Sequence, residues 1–192
     1  GGSRDATRAL AVPLADRILE SARGRARQMN AGAGSAHGEV LLFLHADTIL
    51  PASADGAIAR AAASGARWGR FDVRITGDSR LLAVVAASMN ARSRLTGIAT
   101  GDQAIFVRAD ELRVAGGFPE IPLMEDVALC KRLKRASRPA CLRERVETSG
   151  RRWQRHGTLR TILLMWRLRM AYALGADPVR LARRYDVERT SA

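Results

Sequence analysis

Residues 38–48 read GEVLLFLHADT, an apolar run that stops at a histidine and a carboxylate. Val40 to Leu44 are five large apolar residues in succession, with no alternation. Such a run suits a strand covered on both faces, as in a parallel sheet flanked by helices. In open α/β sheets the ligand crevice lies beyond the carboxyl ends of the strands, and Asp47 stands where this strand would stop. The plain alternative is a turn-forming aspartate ahead of a helix that begins near Pro51.

On either side of this run the chain alternates between helical and extended patterns. Residues 5–12 predict a short helix stopped near Pro13, and Arg17 to Ser21 a short strand. Gly24 to Ala36 predicts a helix leading into the strand at 39–45, and Pro51 to Ser64 another. Residues 67–76 alternate as a more exposed strand does. Further helices are predicted at 79–95, 110–115, 125–136 and about 157–174, with extended segments at 104–107 and 140–147. Gly116-Gly117 closes the short helix at 110–115, because glycine tolerates left-handed backbone. Short connections between alternating elements predict an α/β fold in one domain.

The chain has 192 residues, enough for one sizeable core, and its 47% hydrophobic and 27% charged composition argues against disorder. It holds no apolar stretch near the roughly 20 residues that a membrane-spanning helix needs. Cys130 and Cys141 have neither metal-ligand spacing nor a disulfide pattern, which suits a reducing, cytoplasmic setting. The formal charge is +13, and ten arginines against three acids fall between Arg151 and Ala192. That basic region admits anionic lipid, a phosphorylated substrate or nucleic acid as partner.

Three further stretches carry chemistry. In Met124-Glu125-Asp126 followed by VALCKRLKR, helical spacing puts Asp126, Leu129, Cys130 and Leu133 on one stripe. Asp126 then either favours the positive helix N-terminus or acts as a general base at a cleft edge. Thr100 to Val107, TGDQAIFV, sets Gly, Asp and Gln just before an apolar strand. Arg151 to His156, RRWQRH, is either a solvated basic loop or a clamp for a diphosphate.

In this order, GGSRDAT, RGRARQMNAGA, FLHADT, GDQAIF, AGGF, MEDVALCKRLKR and RRWQRHG resemble the family 2 glycosyltransferases of the GT-A fold. The subgroup with a short C-terminal apolar-basic helix is the most similar. The resemblance implies a Rossmann-like α/β domain over 1–156 with a mostly parallel sheet and helices on both faces. It implies that 157–192 is a helical extension of that domain, and that a first strand, with the acid that holds the base, lies upstream of Gly1.

The resemblance also implies roles. Asp47 matches the last acid of the family's DxD motif, which binds a divalent cation, Mg2+ or Mn2+, on the donor's diphosphate. His45 stands in place of the first acid and, with His156, is a further metal candidate; a histidine would shift preference toward manganese. Asp126 matches the catalytic base, supported by Glu125. Asp102 and Gln103 match the sugar and acceptor side. Gly2, Ser3, Asp5 and Arg25 fall on the donor side, and Arg152 and Trp153 resemble a closing element near the diphosphate. The implied activity is inverting transfer of a sugar from a nucleoside-diphosphate sugar to a hydroxyl or phosphate.

The acceptor stays open, a lipid-linked one included. Thr161 to Gly175, TILLMWRLRMAYALG, is apolar but holds Arg167 and Arg169, which project to nearly opposite sides of a helix. It suits a helix packed on its own domain or across a homodimer, or an interfacial helix at the inner face of a membrane. Two rival classes are a sugar-phosphate nucleotidyltransferase of similar architecture and a non-catalytic basic module on membrane or nucleic acid. With nine aromatic residues in all, the chain lacks the stacking platform of single-strand binders, so nucleic acid is not expected.

Overall fold

The computed structural model describes residues 1–3, 5–151, 153 and 157–190, the last four for their backbone alone. Helix α1 spans Thr7–Ala11, running into a 3-10 turn at Val12–Leu14 that contains Pro13. Then follow α2 (Arg25–Ser35), β1 (Val40–Phe43), β2 (Thr48–Ile49), α3 (Ala54–Ala63), β3 (Trp68–Thr76) and α4 (Arg80–Thr96). A 3-10 turn at Gly101–Gln103 precedes β4 (Ile105–Arg108) and α5 (Ala109–Val114). The chain continues with α6 (Glu125–Ala136), β5 (Ala140–Ser149), α7 (Thr158–Ala173) and α8 (Pro178–Thr190).

The α/β class holds, but the sheet is mixed rather than mostly parallel. Its strand order is β1-β4-β3-β5-β2. The β3–β5 ladder is parallel, while β1–β4, β3–β4 and β2–β5 are antiparallel. The cause lies in β1. Its apolar run does not sit inside a doubly covered sheet but on an edge, where only Leu41 is buried and Leu44 is exposed. Its other side faces a cavity, so apolar character reports shelter and not strand direction.

Side-chain alternation along β3 and β4 feeds two cores on opposite faces of the sheet. Phe71, Val73, Ile75 and Phe106 pack with Ala57 of α3 and Leu82, Val85 and Met89 of α4. Trp68, Ile105 and Val107 pack with Ala26 of α2, Leu112 of α5 and Leu129, Cys130 and Leu133 of α6. Burying each large side chain contributes about 1.5–3 kcal/mol. A third cluster joins Met124 and Val127 at the start of α6 to Leu168 of α7 and Leu181 of α8, which brings the C-terminal helices over that helix start.

Two further expectations change. Residues 67–76 do not form an exposed strand. Trp68 to Phe71 are all buried, because the polar position Arg70, wholly buried, ion-pairs with Asp72, which Arg94 also engages at 2.6 Å. Arg17 to Ser21 form no strand; the segment stays largely exposed and has no sheet partner. Both cysteines are free. Among the described residues, no helix is long and apolar enough to cross a membrane.

Candidate functional site

The end of β1, the Gly101–Gln103 turn and the first turn of α6 converge on a cavity of about 900 Å³. Asp47 and Asp126, 79 positions apart in sequence, both line it (126 − 47 = 79). Arg25, His45, Asp102 and Glu125 line it as well. Its apolar wall comes from β1, with Phe118 and Met165 opposite polar groups, a mix typical of ligand pockets.

A polar chain ties these segments together. Arg25 Nε lies 3.1 Å from Glu125 Oε1, a carboxylate only 3% exposed, although its N–H is not aimed to give that oxygen a hydrogen bond. Arg25 Nη2 reaches His45 Nε2, and His45 Nδ1 lies 3.2 Å from Asp102 Oδ1. This arrangement assigns the neutral tautomer with the proton on Nδ1, donated to Asp102. Gly101 belongs here because any Cβ would run into the His45 ring and the Arg25 guanidinium. His45 therefore has both ring nitrogens engaged by protein groups in this structure.

Asp126 is held differently. Its Oδ2 accepts the amide hydrogen of Gly101 at 2.9 Å, and it is half-buried at the cavity wall. Behind it, Leu129, Cys130 and Leu133 are buried, as the helical stripe predicts. Burial, then the Asp126 charge, pushes the Glu125 carboxyl above its usual range, against the pull of Arg25. Burial also lifts the Cys130 thiol to about 12, so it is an inert packing group.

Backbone strain brackets the two acidic segments. Among the described residues, Ala104 (φ 46°) and Met124 (φ 69°) are the non-glycine residues with positive φ. Ala104 follows the Gly101–Gln103 turn, and Met124 immediately precedes Glu125. Such conformations cost on the order of 1–3 kcal/mol each and concentrate at functional sites.

Other sequence candidates fall elsewhere. Gln103 is wholly buried, donating 3.0 Å to Ser93 Oγ of α4, so it braces the turn and does not reach the cavity. Gly2, Ser3 and Asp5 are exposed and not part of the cavity wall; Asp5 accepts the Thr7 amide at 3.1 Å. Trp153 packs on the α3–α4 core and lines a second, adjoining cavity. Arg152 and His156 lie outside the described residues.

Two arginines join the site without a sequence motif to announce them. Arg169 of α7 lines the cavity, and Arg92 of α4 lies behind it. Burial, then repulsion from Arg169, lowers the Arg92 guanidinium to about 10. Burial lowers Arg169 too, while Asp126 and Asp102 favour its charge. The one local signal is an arginine inside the apolar run LLMWRLRMAY: Arg167 is exposed, whereas Arg169, rotated about half a turn away, faces inward.

Among the described residues no group of three or more His, Cys, Asp and Glu could hold a metal ion. Asp47 is exposed, and its carboxylate makes no side-chain hydrogen bond to a described residue. That donor set fits a cation shared between one carboxylate and a ligand's phosphates, as Mg2+ accepts, and not a cage made by the protein alone. No family model, no curated protein and no solved structure matches this chain.

Proposed function

We propose that this protein is an inverting glycosyltransferase on a mixed-sheet variant of the GT-A fold, moving a sugar from a nucleoside-diphosphate sugar to an acceptor oxygen. The observation that carries the reading is that Asp47 and Asp126 line one cavity, which Arg25 and Arg169 also line. One exposed acid and one acid held in place by a backbone amide are what a single displacement calls for, since it needs one base and not a hydrolase's carboxylate pair.

The donor's diphosphate lies against Asp47 and Arg25. A divalent cation, Mg2+ or Mn2+, held by Asp47 and the phosphates would supply neutralisation of the charge that grows on the leaving group. Asp102, fixed through His45, faces the sugar and acceptor. Asp126 accepts the acceptor's proton as its oxygen bonds to the anomeric carbon, and Gly101 keeps that carboxylate oriented. Arg25 offsets negative charge on the departing diphosphate. Holding both substrates in one cavity contributes by proximity. The protein works peripherally, at the cytoplasmic face of a membrane.

A thermal-shift screen of nucleoside-diphosphate sugars with Mg2+ or Mn2+ tests this reading. One donor should raise the melting temperature, and the effect should vanish with chelator and in Asp47→Asn. Turnover should release free nucleoside diphosphate; release of pyrophosphate would instead identify a nucleotidyltransferase.

A further inference from the structure

The cavity adjoins a second one of about 490 Å³, walled by α4 and α7. Leu81, Val84 and Leu95 face it from α4, and Ile162, Met165 and Trp166 from α7. Asp47, Asp102, Met165 and Arg169 line both cavities, so the two meet at those residues. The apolar surface continues outward around the second one. Leu159, Leu163, Trp166, Met170 and Leu174 recur every three or four positions on α7 and its C-terminus, each at least 60% exposed. An apolar stripe of this length in water marks a contact surface.

The inner end of the groove is charged, with Arg92 and Arg169 alongside Asp47 and Asp102. Arg92 donates Nη1 to the Ile98 carbonyl at 3.2 Å, but its Nε and Nη2 are buried without a hydrogen bond. Arg169 makes no hydrogen bond or ion pair to any described residue, and its Nε is buried too. Two neighbouring guanidinium groups with unmet N–H donors suit a phosphate, which accepts forked hydrogen bonds and cancels their repulsion. The order along the path is informative. Arg92 lines the second cavity alone, Arg169 lines both, and Asp126 lines the first alone. Arg169, with Asp47 and Asp102, thus stands at the junction between the apolar second cavity and the cavity that holds Asp126.

We propose that the second cavity holds the acceptor, an anionic phospholipid whose head group carries a free hydroxyl, which presupposes the transferase reading above. Its chains lie against α4 and α7, its phosphodiester rests on Arg92 and Arg169, and its hydroxyl extends to Asp126. In the transfer step the hydroxyl oxygen bonds to the anomeric carbon and its proton passes to Asp126. The bond from that carbon to the nucleoside diphosphate breaks, its electron pair leaving on the diphosphate oxygen. The exposed stripe on α7 rests on the bilayer that supplies the lipid, with exposed Arg160 and Arg167 on the same helix available to lipid phosphates.

Binding of short-chain probes below their micellar concentration, measured by calorimetry on the full chain without sugar nucleotide, tests the site. Dihexanoyl phosphatidylglycerol should bind at least tenfold more tightly than glycerol 3-phosphate and than dihexanoyl phosphatidylcholine. Arg169→Gln should weaken it about tenfold, Arg169→Lys less, and Val84→Asp should weaken the lipid while sparing glycerol 3-phosphate. Equal binding of the two lipids would overturn the anionic site, and equal binding of glycerol 3-phosphate would identify a free phosphate ester as the ligand. These contrasts between probes hold on the unmutated protein, so a variant that misfolds does not decide the matter. Lipid binding with no turnover of any sugar nucleotide would remove the transferase reading and leave a lipid site. Turnover without lipid binding would remove the lipid acceptor alone.

Discussion

Asp126 Oδ2 accepts the amide hydrogen of Gly101 at 2.9 Å, a bond across 25 positions that fastens the turn bearing Asp102 to the first turn of α6. The two acidic segments are thus positioned by each other as well as by the sheet, and each adjoins a residue in left-handed backbone.

Asp126→Asn keeps an oxygen that can accept from Gly101, so the fold should persist while the base is lost. Transfer should fall by about 10²–10⁴-fold, the range that a general base contributes. Nucleoside diphosphate release measures the rate, and calorimetry should find donor affinity close to that of the unmutated protein. A variant with undiminished turnover would take the base role away from Asp126.

Gly101→Ala places a methyl group against His45 and Arg25. Overpacking of this kind costs about 1–3 kcal/mol. In a chain of this size that lowers the melting temperature by roughly 2–4 °C per kcal/mol. The polar chain from Glu125 to Asp102 should break, lowering activity more than stability alone explains. A melting curve and turnover rate equal to wild type would mean that the close approach has no consequence.

Glu125 has its carboxyl raised above the ordinary 4.5 by burial and by Asp126. Between 4.5 and that raised value the folded state binds more protons than the unfolded one, so stability falls as pH rises across this window. Glu125→Gln has nothing to titrate there. Urea denaturation of both proteins at about pH 4.5 and near neutrality should show wild type losing ground to the variant as pH increases. A gap that stays constant, or that moves the other way, contradicts an upward shift of the Glu125 carboxyl.

Asp72→Ala removes the partner of Arg70, a guanidinium with no exposure, and one partner of Arg94. Stranding a buried charge typically costs about 3–5 kcal/mol. Arg70 Nη2 keeps the Asn90 carbonyl at 3.2 Å, which holds the loss toward the lower end. The midpoint of chemical denaturation reads the effect; a shift worth less than about 1 kcal/mol would place Arg70 in a better-solvated setting than its burial indicates.

Helix α6 is legible to the residue, because its apolar stripe, its acidic first turn and its basic last turn all follow from local spacing. Helix α4, predicted over 79–95, is legible to within one residue at each end; it runs from Arg80, after the Ser79 cap, to Thr96, before Gly97 in left-handed conformation. Strand β3 is legible as a strand but not as a buried one. A paired charge and a solvated charge look alike in sequence, and only the approach of Arg94 and Asn90 from α4 makes Arg70 a core residue. Gln103 misleads for the same reason, since its partner Ser93 comes from another helix.

Sequence by itself determined the α/β alternation, most element positions and the two acids that meet, because periodicity, caps and motif spacing are local properties of the chain. Tertiary structure decided strand direction, the engagement of both His45 nitrogens, and the meeting of Arg92 with Arg169 at the junction of two cavities. Each of those depends on contacts between segments distant along the chain, where the free energy belongs to the pair and is written in neither segment alone.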